Sequence, residues 1–159
     1  MKVKKMEWHL KTFDELSTIE LYKILKARVD VFVVEQHCPY PEVDNHDQAS
    51  SHLFLEENGE IIAYARLIPE NNIYEEASIG RVLVNEKYRS QGYARTLMNK
   101  SIDILKQEWH VEKIKIHGQE YLRNFYGSFG FKEISEVYLE DNIPHVDMIL
   151  ECKKLNLTK

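Results

Sequence analysis

With 159 residues, 43% of them hydrophobic and 30% charged, the chain has an ordinary globular composition and enough length to bury a core in a single domain. A formal net charge of -5 with no compensating basic stripe argues against a nucleic-acid partner, and no apolar run approaches membrane-span length, which argues against a membrane protein. The basic start, Met1 to Lys5, runs into Glu7 and His9 rather than an apolar signal core, and Cys38 and Cys152 form no spaced pair, so a cytoplasmic, reducing setting is expected.

Met6 to Lys11 alternates loosely and reads as a first strand. Ser17-x-x-Glu20 is a capping box, after which Leu21, Ile24, Leu25, Arg28 and Phe32 recur at helical spacing. That first helix ends in the β-branched run Val31 to Glu35 and is stopped by Pro39 and Pro41. The polar stretch Gln36 to Asp47 is too long for a bare connection and reads as a lid or an insert. His52 to Glu56 and Ile61 to Leu67 are strands joined through Asn58-Gly59, a strong hairpin signal. A second turn, Pro69 to Asn72, leads to a strand from Ala77 to Val84. Ala94, Leu97, Met98, Ser101, Ile102 and Leu105 make the apolar stripe of a second helix. Lys113 to His117 is a short strand, Tyr121 to Ser128 a short helix, and Gly130 its C-cap. Phe131 to Tyr138 and His145 to Leu150 are strands across the turn Glu140 to Pro144. Hairpins combined with one crossover predict a mixed sheet with helices on both faces, an α/β three-layer arrangement.

The stretch Ile79 to Leu97 carries the clearest chemistry. An apolar strand runs into Arg89-Ser90-Gln91-Gly92-Tyr93-Ala94, which opens a helix, so unpaired backbone N–H groups and the positive end of the helix dipole meet where an anion can dock. Walker A would need a Gly-Lys-Ser/Thr ending and the dinucleotide loop three spaced glycines; neither is present. This R-x-x-G-x-A loop resembles the pyrophosphate loop of the GNAT N-acyltransferases, which cradles coenzyme A. The second supporting motif is Asn124-Phe-Tyr126-Gly-Ser-Phe-Gly-Phe131. The strand order is similar to the GNAT fold over nearly the whole chain, a mixed, mostly antiparallel sheet flanked by helices. The strings VFVVEQHCPYPEVD, YARL, IGRV, FYGSFGF and YLEDNIPH together resemble its ElaA-type branch more specifically.

The resemblance implies an N-acetyltransferase that moves an acetyl group directly from acetyl-CoA to a primary amine of a small molecule or peptide. Arg89 to Ala94 would hold the phosphates. The backbone of Val82, Leu83 and Val84 would pair with the pantetheine arm, Leu83 N–H would polarise the thioester carbonyl, and Tyr126 would protonate the leaving thiolate. Asn124 would either bond the pantetheine or cap its helix. Arg81, a charge in an apolar strand, either salt-bridges within the sheet or lines the acceptor cleft. The acceptor pocket is expected from the first helix and the last hairpin, with Arg28, Glu35, Gln36, Arg66, Arg81, His117 and His145 as candidates. A non-catalytic acyl-CoA-binding module is the alternative reading. A homodimer is compatible with the resemblance, although no interface pattern stands in the sequence.

The general base is the point of departure from the family pattern, because Ser78 stands where many members carry glutamate, with Glu75 and Glu76 just before it. Deprotonating a lysine-like amine at pH 7 costs roughly 4.6 kcal/mol, against about 1.4 for an α-amino group. A less basic acceptor is therefore expected, or a water-mediated base at His117 or Glu35. Cys38, His46, Asp47 and His52 fit no standard zinc spacing, so no metal site is expected, and no motif links Cys38 to a base.

Overall fold

Asn58 and Gly59 both take positive φ, 52° and 77°, the two-residue turn whose twist matches a hairpin, and they join β2 (Ser51–Glu57) to β3 (Glu60–Ile68). This computed structural model describes residues 6–152, so the basic run Met1 to Lys5 lies outside the described part. Around the hairpin are β1 (Met6–Thr12), β4 (Ala77–Val84), β5 (Lys113–Gln119), β6 (Lys132–Glu133), β7 (Tyr138–Glu140) and β8 (Ile143–Glu151). Among the described residues they form one eight-stranded sheet in the order β1-β2-β3-β4-β5-β8-β6, with β7 also on β8. Every pairing is antiparallel except β4 with β5, which is parallel. The mixed, mostly antiparallel sheet expected from the sequence is what forms.

Helices cover both faces. On one face α1 (Thr18–Arg28), opened by the Ser17/Glu20 capping box, sets Ile24 against Phe54, Ile61, Tyr64 and Leu83. On the other, α2 (Tyr93–Asp103) and α3 (Arg123–Gly127) bury Leu97, Met98, Ile102 and Tyr126 against Leu53, Leu55, Ala65, Ile79 and Ile116. Each such aliphatic side chain contributes about 1.5–3 kcal/mol by leaving water. Beyond Arg28 the first helix widens into π-helical turns over Val29–Glu35, a form often found beside binding sites. No helix among the described residues is long and apolar enough to cross a membrane.

Two expectations at the C-terminal end need correction. The predicted strand Phe131 to Tyr138 is two short strands: the pairing Glu133↔Met148 becomes Tyr138↔His145, so two residues loop out between them and break the ladder. The predicted five-residue turn shrinks to Asp141-Asn142, both at positive φ (50° and 64°), and Ile143 and Pro144 belong to β8.

Residues 36–50 are anchored by buried charge. Arg28 donates from Nε to Glu42 Oε2 at 2.6 Å and from Nη1 to Asp47 Oδ1 at 2.7 Å. Arg66 Nη1 reaches Asp44 at 2.9 Å and Asp47 at 2.8 Å, while Arg81 Nε reaches Glu42 at 2.7 Å. Three guanidinium groups thus neutralise three carboxylates, and the segment is held against the sheet. Beside them His52, fully buried, accepts from Tyr64 Oη at Nδ1 (2.6 Å) and donates from Nε2 to the Asp47 carbonyl (3.0 Å), the pattern of a neutral imidazole.

This geometry sets a pH dependence. Burial holds the His52 imidazole below its ordinary value; burial would raise the Asp44 and Asp47 carboxyls, but the arginines outweigh it and hold both low. In all three the unfolded chain takes up the proton first as pH falls. Stability should therefore be full above about pH 6.5, decline below it through His52, and fall again below about pH 4 through the aspartates. Urea midpoints from pH 8 to 5 test this: His52→Gln should lose most of the decline between pH 7 and 5, whatever its absolute stability.

Candidate active site

β4 and β5 pair only at Ala77↔Ile114 and Ser78↔Lys115, then separate. Beyond Ser78 the edge of β4 that faces β5 has no partner strand among the described residues, and a cavity of about 700 Å³ opens there. That volume suits a cofactor or drug-sized ligand. The cavity runs from the loop before α2, through the gap in the sheet, to the β7–β8 hairpin, and is lined among others by Val82, Leu83, Val84, Arg89, Ser90 and Tyr126.

At the loop end Gly92 is the N-cap of α2 with φ 88°, and no side chain among the described residues caps the helix. A Cβ there would meet nothing within 4 Å, so glycine is required by the backbone angle, not by crowding. The uncapped N–H groups of the first turn, with the helix dipole behind them, are donors suited to an anion. Ser90, Tyr93 and Ala94 line the cavity beside it; Gln91 is exposed and does not. Arg89 also lines the cavity, but its guanidinium is already engaged. Nε donates to the Val84 carbonyl at 2.9 Å and Nη1 and Nη2 grip Glu35 at 2.6 and 2.8 Å. That two-pronged hydrogen bond holds the Glu35 carboxyl below its ordinary range, which removes Glu35 as a base.

The free edge of β4 corrects the expectation for Leu83. Asn85 N–H donates to the Ile62 carbonyl at 2.8 Å, and the same register pairs Tyr64 with Leu83. Hydrogen-bonded and non-bonded pairs alternate along an antiparallel ladder, so Leu83 N–H faces β3 and the main-chain groups of Val82 and Val84 face the gap. The Val84 carbonyl taken by Arg89 agrees with this assignment. Between Tyr64 and Arg66 the register slips by one residue, a β-bulge at Arg81, whose φ is 53°. Such a conformation costs on the order of 1 kcal/mol or more in a non-glycine residue and clusters at functional sites. It turns Arg81 onto Glu42 and Asp44 while leaving it in the cavity wall, so its ion pairs run to the 36–50 segment and not within the sheet as one expectation had it.

Arg28 and Arg66 do not line the cavity. They are 0% and 1% exposed, their charges are consumed by Glu42, Asp44 and Asp47, and they support the cavity wall from behind. Asn124 is exposed, outside the lining, and second in α3, where Leu122 is the N-cap, so it takes neither expected role. Ser78 is buried between β3 and β5 and lies outside the lining, as do Glu75 and Glu76.

Tyr126 is 7% exposed and packs edge-on against Phe125 and Phe131. Its ring lies on β5 at Gly118, where a Cβ would come within 3.0 Å of the ring; Gly118 is what lets the phenol reach the gap. Burial pushes this phenol up to about 12. It is therefore a neutral donor throughout the range in which proteins are assayed.

The opposite face of β5 carries His117, since side chains alternate along a strand. Its Nδ1 lies 3.1 Å from Asp147 Oδ1, its Nε2 lies 2.8 Å from Glu140 Oε2, and its ring stacks on His145 at 4.6 Å. Gln36 and Gln119 pair their amides across the gap at 3.2 Å. Tyr138 and Asp147 carry no local mark of a site role in the sequence beyond the place of Asp147 two residues after His145 in an otherwise apolar strand.

A family model described as an acetyltransferase (GNAT) domain matches residues 21–152. The chain belongs to the GNAT family. It is 47% identical to a UPF0039 protein of Schizosaccharomyces pombe over 92% of this chain and 97% of that one, and 39% identical to Protein ElaA of Escherichia coli with the same coverage. The crystal structure of Escherichia coli ElaA superposes with a TM-score of 0.86 over 91% of this chain and 99% of that one. An acyl-CoA N-acyltransferase from Pseudomonas aeruginosa, 36% identical, superposes with a TM-score of 0.87 over 92% and 99%. GNAT domains bind acyl-CoA, and the uncapped α2 terminus, the open β4 edge and the apolar gap in this GNAT chain fit such a ligand.

Proposed function

We propose that this GNAT domain transfers an acetyl group from acetyl-CoA to a primary amine of a small molecule or peptide, directly and without a covalent enzyme intermediate. The observation that carries this reading is one cavity that joins the uncapped N-terminus of α2, the unpaired edge of β4 and the hydroxyl of Tyr126. The first holds phosphates, the second pairs with an amide-bearing arm as an added strand would, and the third supplies a proton where a thiolate would leave.

Extending the β4–β5 register past the gap and allowing for the bulge brings Val82 level with Gly118, beside Tyr126. Val82 N–H is thus the group to stabilise the carbonyl oxygen as it gains charge. Holding amine and thioester together supplies much of the remaining acceleration.

Titration calorimetry with coenzyme A and a turnover screen of acetyl-CoA against small amines and peptide N-termini test the reading. Binding together with transfer is expected. Binding with no transfer to any amine would leave an acyl-CoA-binding module, and absence of binding would end the proposal. Because Glu35 competes with phosphate for Arg89, Glu35→Gln should tighten coenzyme A binding by about two- to five-fold at low salt and less at high salt.

A further inference from the structure

With Ser78 buried, Glu75 and Glu76 outside the cavity lining and Glu35 tied to Arg89, the amine's proton needs another acceptor. We infer that His117 Nε2 is the general base of this site, with Asp147 the positioning residue that orients its ring, and that the acceptor is an amine entering as a cation between His117 and the carboxylates of the β7–β8 hairpin. The inference rests on the transfer reading above.

His117 and Tyr126 line the same cavity from opposite faces of β5, the arrangement an acid and a base need when they serve the two sides of one reacting carbon. Nδ1–H donates to Asp147 Oδ1 at 3.1 Å. That oxygen also receives the Tyr138 hydroxyl at 2.6 Å, and the hydroxyl lies against Nδ1. Asp147 holds the Nδ1 proton; Nε2, which donates to the Glu140 carboxylate in this structure, can take the substrate's proton only after it releases its own as Glu140 moves away. His145, whose Nδ1 is pinned to the Ile143 carbonyl at 2.7 Å, stacks on the ring and prevents it from turning. Nε2 faces Glu140, whose side chain is half exposed on the hairpin. An incoming ammonium would draw off Glu140 and present an N–H to Nε2, with Asp141 also in the cavity wall. The other charged group close by is Lys115, 3.8 Å from Asp147 Oδ2 and over the ring of Tyr74 at 4.4 Å.

The protons balance. Nε2 takes one ammonium proton and passes it to solvent; the nitrogen lone pair then forms the C–N bond as the C–S bond breaks. Tyr126 protonates the sulfur, and the second nitrogen proton, returned by way of solvent, restores Tyr126.

The test is a set of acceptors of graded basicity with the full chain and acetyl-CoA: an alkylamine, a dipeptide α-amine and hydroxylamine, which is already neutral at pH 7. His117→Gln should lower kcat/KM for the alkylamine by roughly 10²- to 10⁴-fold, remove the acidic limb of its pH profile, and cost hydroxylamine less than about ten-fold. Asp147→Asn should show the same ordering with coenzyme A affinity unchanged. Equal losses on all three acceptors, or a retained acidic limb, would overturn the assignment and leave the transfer reading standing. A wild-type chain that binds coenzyme A but acylates none of the three overturns both.

Discussion

Tyr126→Phe is expected to lower kcat for acetyl transfer by roughly 10²- to 10⁴-fold and to leave coenzyme A affinity within about two-fold of wild type. The substitution removes one oxygen and keeps the ring that packs on Gly118, Phe125 and Phe131, so folding should be little disturbed. Among the described residues nothing bonds the hydroxyl, which leaves it able to donate into the cavity. With the phenol pushed up to about 12 by burial, turnover by the wild-type chain should show no alkaline limb from this group below about pH 11. Steady-state turnover and calorimetry on one preparation separate the two effects. Unchanged kcat would remove Tyr126 from the chemistry, and Gly118→Ala, which displaces the ring, should lower kcat in the same direction.

Arg28→Ala is expected to cost about 3–5 kcal/mol of folding stability, a melting-temperature drop on the order of 10 °C. Arg28 is wholly buried and bridges Glu42 and Asp47, each 4% exposed, so truncation leaves two carboxylates in the interior short of a partner. Arg28→Lys should recover little, because an ammonium cannot reproduce the fork that meets Glu42 through both its carboxylate and its carbonyl. The measurement also decides between two roles. A residue that bound the acceptor would raise KM at unchanged stability, whereas a buried anchor lowers stability first. Thermal denaturation alongside acceptor KM distinguishes them, and normal stability with a raised KM would contradict the buried-anchor assignment.

The roles of the two arginines are not written in local sequence. Arg28 and Arg66 look like cleft charges in a string of polar residues, and which carboxylates neutralise them depends on how residues 36–50 lie across the sheet, a matter of long-range contact rather than local pattern. Leu83 turns its N–H toward β3 for a related reason. Which main-chain groups of a strand face a neighbour and which face open space is set by pairing parity and by the bulge at Arg81, and neither marks the side chains. Tyr138 and Asp147 became visible only when β7 and β8 brought them to His117.

What the sequence by itself determined is everything written in local periodicity and turn chemistry: the capping box, the Asn58-Gly59 hairpin, the β4–loop–α2 run with its glycine at positive φ, and the Tyr126 motif that follows it. These establish the order of the elements and the glycine-opened N-terminus of α2, because each depends on residues within a few positions of one another. Tertiary structure alone decided where charge goes and what faces the gap. It paired Arg89 with Glu35, buried Arg28 and Arg66, opened the sheet past Ser78, and set His117 opposite Tyr126 across β5. Ion pairs and strand edges are formed between segments distant in the chain, and their energies depend on burial that no local pattern encodes.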